Sequence, residues 1–417
     1  MSHIVKIYAL LLGSALLMFG GGLQGLLMSV RGAEEQFSLL ALGLIGTGWS
    51  VGFVAGSISV PLIVRRVGHV RAYSVMAAMG TIVILLNLLW INDIAWIVLR
   101  GFSGFCFAGA AMIVESWLNE TAENKNRGTI FSIYVTVNMA ASTLGQLAMS
   151  VTGVQGYVPF VVGAIAFACA VLPSALSSSP QPTPLLSVRI DLGLLYRTSP
   201  VAVIASLVVG ITNGTYGTLG PVYGFLKQMQ PSEIALLMSI PAILAALAQV
   251  PLGRLSDRID RRIVLISISG LAALVGIVLV VFNPAGYLIF ALFGLYGITA
   301  LPVWAIAVAH ANDSAEGGNF AAISSAMLLI YGLGLAIGPV VAAVAMNIVG
   351  PGALFMVTAL FHTILAGFAI VRMRVRPITS DEGHEDFRAM SIVKISTPAP
   401  FELDPRTTEE PDAPEGT

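Results

Sequence analysis

"GRLSDRIDRR", Gly253 to Arg262, places six charged side chains in the nine residues from Arg254 to Arg262, with long apolar runs on either side. The whole 417-residue chain is only 10% charged and 56% hydrophobic. Soluble domains carry about 25% charged residues. So little charge cannot clothe a globule in water, so most of the chain must be solvated by lipid. In such a chain, a cluster rich in arginine marks a point where the backbone leaves the bilayer on its basic side.

Working outward from that loop, runs of about 20 mostly apolar residues are long enough to cross a bilayer. Twelve qualify, at about 6–30, 38–63, 71–91, 94–118, 128–151, 156–177, 200–225, 232–253, 263–283, 286–310, 319–347 and 352–373. The sequence thus predicts an all-α membrane protein of twelve transmembrane helices. A Ser/Pro-rich stretch separates the sixth run from the seventh, and the chain beyond Pro377 turns acidic, with several prolines. The expected organisation is a six-helix bundle over 1–180, a cytoplasmic linker over 181–199, a second six-helix bundle over 200–375 and a disordered cytoplasmic tail over 376–417. Cys106 and Cys169 lie inside apolar runs and read as small buried residues without a disulfide.

Charge asymmetry orients the chain. With the N-terminus in the cytoplasm, 18 of the 21 Lys and Arg residues fall inside, only Arg31 and Lys227 fall outside, and Arg100 lies within a span. Loops rich in Lys and Arg stay cytoplasmic, so both termini are expected there, in the inner membrane of a bacterium. Trp90 and Trp96 are expected at the outer interface and Trp117 at the inner one. The chain also repeats. A shift of 193 residues carries Gly21 onto Gly214, Gly101 onto Gly294, Gly104 onto Gly297 and Gly145 onto Gly338. A repeat of six helices is how transporters with a midplane binding site are built.

The motif "GRLSDRIDRR" resembles the loop signature of the major facilitator superfamily, Gly-x-Leu-x-Asp-Arg-x-Gly-Arg-Arg, departing from it at Asp260, where the family has glycine. It lies between the eighth and ninth runs, where the family's second copy belongs. "RGFSG", Arg100 to Gly104, resembles the family's Arg-x-x-x-Gly signature. "VESWLNETAENKNRG", residues 114–128, together with the loop resembles a poorly characterised bacterial branch of that family. The resemblance implies two pseudo-symmetric bundles that rock about a central pathway lined by the first, fourth, seventh and tenth helices. It also implies that Asp257 faces the N-terminus of the fifth helix, near Arg127, where helix N–H groups and partial positive charge favour an anion. Gly253, Arg258 and Arg261 complete that cytoplasmic gate.

The first-half copy of the loop, "PLIVRRVGHVR", has Pro61 for glycine and Arg65 for aspartate. Two readings stand. Either the latch has decayed there, or it is inverted, with Arg65 or Arg66 against Asp313 or Glu316. The glycine-proline motif of drug-proton antiporters is absent from the fifth run, which reads "LGQLA".

Only Arg100 and Glu115 place a charge well inside a run. A charge at the bilayer centre costs about 2.5–3.5 kcal/mol, so each is expected to face a cavity or a partner. Fifteen residues of helix separate them by about 22 Å, too far to pair. Arg100 is read as a coupling or substrate residue or as a partner of backbone carbonyls. Glu115 is read as a proton-linked gate or as a cap for Lys125 or Arg127. The polar residues expected along the pathway are Gln24, Asn138, Asn213, Tyr216, Trp304 and Tyr331. Tyr134, Asn138 and Ser142 form a stripe at intervals of four.

These readings point to a secondary active transporter for a small neutral, amphipathic or singly charged solute, working by alternating access. A proton gradient is the candidate energy source. The alternative is a non-transporting sensor or partner-binding protein on the same fold. No Walker-type phosphate loop is present, and no constellation inside the runs points to an enzyme or a metal site. No cofactor is expected. The expected partners are a small-molecule substrate and membrane lipid, without nucleic acid, and the chain is expected to be a monomer.

Overall fold

In lipid a backbone must satisfy its own N–H and C=O groups, and the helix is the local way to do so. The computed structural model describes residues 3–121, 126–175, 191–313 and 320–375. They form α1 (His3–Glu34), α2 (Leu39–Val67), α3 (His69–Leu89), α4 (Asp93–Thr121), α5 (Arg127–Thr152), α6 (Val158–Ala175), α7 (Leu192–Thr198), α8 (Pro200–Leu226), α9 (Pro231–Arg258), α10 (Arg261–Phe282), α11 (Tyr287–Ala300), α12 (Val303–Asp313), α13 (Phe320–Val349) and α14 (Ala353–Val375). Among the described residues eleven helical stretches are long and apolar enough to cross a membrane, and Val158–Pro173 is a shorter apolar one. The tail 376–417 and the linker up to residue 190 lie outside the described residues.

Local chemistry sets the helix ends. The Ser38 hydroxyl accepts from the Ala41 N–H at 3.1 Å. Pro200 and Pro231 occupy first-turn positions, where a missing N–H costs nothing. Gly68, at φ 84°, turns the chain from α2 directly into α3. Short connections make successive long helices antiparallel, so the ends of α2, α4, α9 and α12 share one end of the molecule, the basic end. The turns after α1, α3, α5, α8, α10 and α13 share the opposite, far end.

The helices divide into two bundles with the same internal packing. In the first, α2 packs on α4, α1 on α5 and α3 on α6; in the second, α9 packs on α11, α8 on α13 and α10 on α14. The closest approaches repeat too. A Cβ on Gly104 would lie 2.0 Å from the Trp49 carbonyl oxygen, and one on Gly297 would lie 2.5 Å from that of Pro241. A Cβ on Gly145 would lie 2.1 Å from the Phe19 carbonyl oxygen, and one on Gly338 would lie 2.2 Å from that of Ile211. Small residues let membrane helices approach this closely.

Between the bundles, α2 packs on α13, α5 on α9, and α1 and α2 on α8. The α2–α13 seam runs from the far end to mid-depth. A Cβ on Gly43 would stand 2.7 Å from the Pro339 carbonyl oxygen, Thr47 Oγ1 donates to the Ala336 carbonyl at 2.6 Å, and Ser50 Oγ donates to that of Leu335 at 3.2 Å. The outer surface carries exposed apolar side chains such as Leu62, Val98, Leu247 and Leu360, as a lipid-facing surface requires.

The structure refines three expectations. The tenth run holds as one span, Tyr287–Asp313, but its helix is broken where Pro302, without an N–H, interrupts the ladder between α11 and α12. The end of the expected linker is helical: α7 is capped by Asp191, which accepts from the Leu194 N–H at 2.8 Å, and it buries Leu195. Of the three interfacial tryptophans, only Trp90 is exposed, at 59%, while Trp96 is fully buried and Trp117 nearly so. The Trp96 indole donates to the Asn87 carbonyl at 2.9 Å and packs edge-on to Phe37 and Phe160. An indole whose N–H finds a carbonyl no longer needs the wet interface.

Candidate functional site

A cavity of about 160 Å³ lies where the two bundles meet. From the first bundle, the second half of α1 contributes Gln24, α2 contributes Trp49, α4 contributes Arg100 and Phe107, and α5 contributes Ser142 and Gln146. From the second, α8 contributes Asn213 and Tyr216, α9 contributes Met238, and the break after α11 contributes Leu301. The interrupted helix thus places an apolar side chain on the cavity wall. Arg100 lies seven residues into α4 from the far end, about 10 Å deep.

The polar groups are held unevenly. Gln24 Oε1 accepts from Ser103 Oγ at 2.8 Å, which turns its amide nitrogen away from that partner. Asn213 Nδ2 donates to Tyr331 Oη at 3.3 Å, and the Tyr331 ring lies 4.5 Å from that of Trp304. Tyr331 and Trp304 therefore back the wall behind Asn213 without lining the cavity. Tyr216 packs on Tyr296 at 5.4 Å. Trp49 and Phe107, with rings 6.0 Å apart, form an aromatic wall. Among the described residues Arg100 is the one charged side chain on the cavity wall.

Glu115 and Asn138 belong to a second buried group, inside the first bundle. Tyr134 Oη donates to Glu115 Oε1 at 3.2 Å, and Ser14 Oγ donates to Asn138 Oδ1 at 2.8 Å. The α5 stripe is thus shared. Tyr134 and Asn138 serve this inner group, and Ser142, with Gln146 one turn further on, serves the cavity. Gln146 follows the same interval of four, so its place was readable from the sequence. Trp49 and Phe107 carried no such signal, since they sit among other apolar residues.

At the basic end the motif folds into a charged knot. Arg261 is 2% exposed, and its guanidinium reaches Asp257 at 2.9 Å, Asp313 at 2.6 Å and Ser256 Oγ at 3.1 Å. Asp313, expected opposite Arg65 or Arg66, is thus engaged by Arg261 in its own bundle. Arg65, Arg66 and Arg258 are exposed at helix ends. Gly253 closes the turn through its carbonyl, which accepts from Ser256 Oγ at 2.7 Å. The Arg127 side chain and Glu316 lie outside the described residues. Asp260, the departure from the family motif, caps α10: its carboxylate accepts from the Arg262 N–H at 2.8 Å and pairs with the Arg262 guanidinium at 2.7 Å. Burial pushes the Asp260 carboxyl up, but the Arg262 contacts outweigh it and hold it below the usual aspartate range. Among the described residues no three His, Cys, Asp or Glu side chains gather as a metal site would need.

The family model for the Major Facilitator Superfamily matches the chain twice, over residues 10–230 and 202–403. Proteins named uncharacterized MFS-type transporter YcaD, from Shigella flexneri serotype 5b and Escherichia coli O139:H28, are each 26% identical over 332 residues, covering 78% of this chain and 85% of theirs. Among solved structures, the nucleoside transporter NupG superposes with a TM-score of 0.75 at 14% identity, over 89% of this chain and 100% of that one. A bacterial homologue of the human lysosomal transporter Spinster, in an inward-facing and unoccupied conformation, superposes with a TM-score of 0.71 at 15% identity, over 90% and 98%.

Proposed function

The chain belongs to the major facilitator superfamily of membrane transporters, and on that premise we propose that it is a secondary active transporter moving a small solute across the bacterial inner membrane by alternating access. The observation that carries this reading is the cavity itself, which takes its walls from both bundles and so changes shape whenever they tilt. Positive-inside asymmetry supports a cytoplasmic basic end. The α2–α13 seam then closes the periplasmic side. Arg100, on the cavity wall, and Glu115, in the inner polar group, are the candidates for coupling transport to a proton gradient.

The seam offers the test. A Cβ on Gly43 would lie 2.9 Å from the Ala343 Cβ, closer than the about 3.5–4.5 Å that a disulfide spans, so a cysteine pair here meets across the closed seam once the helices ease apart by about an ångström. In a chain with Cys106 and Cys169 replaced, Gly43→Cys with Ala343→Cys should cross-link under oxidation. Uptake of small neutral and singly charged solutes into proteoliposomes should then stop, and return on reduction. Flux through the linked protein at the rate of the reduced one would refute alternating access. Binding without any flux, linked or reduced, would favour a sensor built on the same fold.

A further inference from the structure

Arg100 is 8% exposed, and its Nε has no hydrogen-bond partner among the described residues. Among the described residues no carboxylate shares the cavity wall with it. A guanidinium at this depth costs a few kcal/mol unless something compensates it, and here the compensation has to come from outside the described chain. Two further donors on the same cavity wall are buried without partners among the described residues, Gln24 Nε2 and the Tyr216 hydroxyl. One acceptor, Gln146 Oε1, is unpartnered as well. The wall therefore offers an excess of donors around one fixed positive charge, against aromatic and aliphatic surface. A cation would be repelled by Arg100. A dianion would leave one charge without a counter-charge in a site that is mostly apolar.

From this arrangement we propose that the cavity binds an organic monocarboxylate, its carboxylate on Arg100, Gln24 and Tyr216 and its apolar body against Trp49 and Phe107. The volume limits that body. A cavity of about 150 Å³ accepts a benzene ring, so about 160 Å³ suits a body of about that size, a single ring or a short branched chain. Gln146 is placed for one N–H or O–H substituent. This inference rests on the reading of the chain as a transporter only for the movement of the ligand, not for its binding.

The experiment uses the full chain in nanodiscs, with benzoate and 3-methylbutanoate as probes, each beside its amide, and phthalate and benzylamine as dianion and cation. Calorimetry and thermal stabilisation read binding, and proteoliposome uptake reads transport. A carboxylate should bind at least about tenfold tighter than its amide, as a charge-assisted hydrogen bond allows. Arg100→Gln should abolish that preference. Arg100→Lys, which keeps the charge, should retain the preference at lower affinity, and Tyr216→Phe should weaken the carboxylate about fivefold. These two variants decide the matter if Arg100→Gln does not fold. The proposal is overturned if neither carboxylate binds tighter than its amide, or if the preference survives Arg100→Gln. Carboxylate binding without uptake would refute transport and leave the site standing. Uptake of an amide with no carboxylate binding would do the reverse.

Discussion

Replacing Thr47 by Val and Ser50 by Ala removes two hydrogen bonds that cross from one bundle to the other, to the carbonyls of Ala336 and Leu335. Both substitutions nearly preserve volume. Ser50 also bonds the Gly46 carbonyl of its own helix at 3.0 Å, so its contribution to the seam is shared. Hydrogen bonds between membrane helices average about 0.6 kcal/mol. The pair is then worth at most about 1.2 kcal/mol, up to an eightfold change in an equilibrium constant. If the bundles rock about the cavity, these bonds exist only while the far end is closed, and the double variant should favour the far-end-open state by that factor. Spin labels at Leu40 and Ile348, both exposed at the far end on α2 and α13, would report the separation by pulsed electron resonance once Cys106 and Cys169 are replaced. Ser57→Ala is the control, because that hydroxyl bonds the Phe53 carbonyl within its own helix at 3.0 Å. The ratio of separated to closed distances should rise by between about threefold and eightfold for the double variant and stay constant for the control. A folded double variant whose ratio stays within about twofold of the parent's would refute the reasoning.

Two further predictions concern stability. Gly104→Ala forces α4 away from the Trp49 carbonyl and should lower stability by about 1–3 kcal/mol, whereas Gly270→Ala, where a Cβ meets nothing within 4 Å, should be neutral or stabilising by up to about 1 kcal/mol; thermal unfolding of both in one detergent compares them. Asp260→Ala removes the cap of α10 and should cost about 0.5–2 kcal/mol at neutral pH. Because the folded carboxyl is held below its usual range, its contribution is complete above the unfolded aspartate pKa, about 3.9, and is lost as pH falls through the lower folded value. The difference between parent and variant should therefore be constant from about pH 5 to 8 and shrink below about pH 4, as denaturation midpoints across that range would record.

Individual residues show how far the sequence could be read. Gly104 and Gly297, or Gly145 and Gly338, align by counting alone, and their helices meet in equivalent places because each bundle solves the same packing problem with the same small residues. Arg100 was legible as a residue that must face a cavity or a partner, since a lone charge in an apolar run carries a penalty that something must offset, and it lines the cavity. Asn138 and Glu115 were not separable from the cavity by periodicity. A helix face names a direction, and on α5 one face meets α1 and α4 near the basic end and the cavity further along. Trp96 was misplaced for a related reason: whether an indole sits in the interface or the core depends on where a free carbonyl lies, and Asn87 is nine residues away around a turn.

The sequence by itself determined the lipid solvent, the positions of the apolar runs, the two-fold repeat and the charged loop. Those follow from transfer free energy and from spacing along the chain, which are local and additive. Only the tertiary structure decided which polar groups share a cavity, that Asp313 pairs with Arg261, and that Arg100 faces the cavity with no carboxylate among the described residues of its wall. Such pairings depend on distances between helices far apart in sequence. A one-dimensional pattern of burial does not contain them.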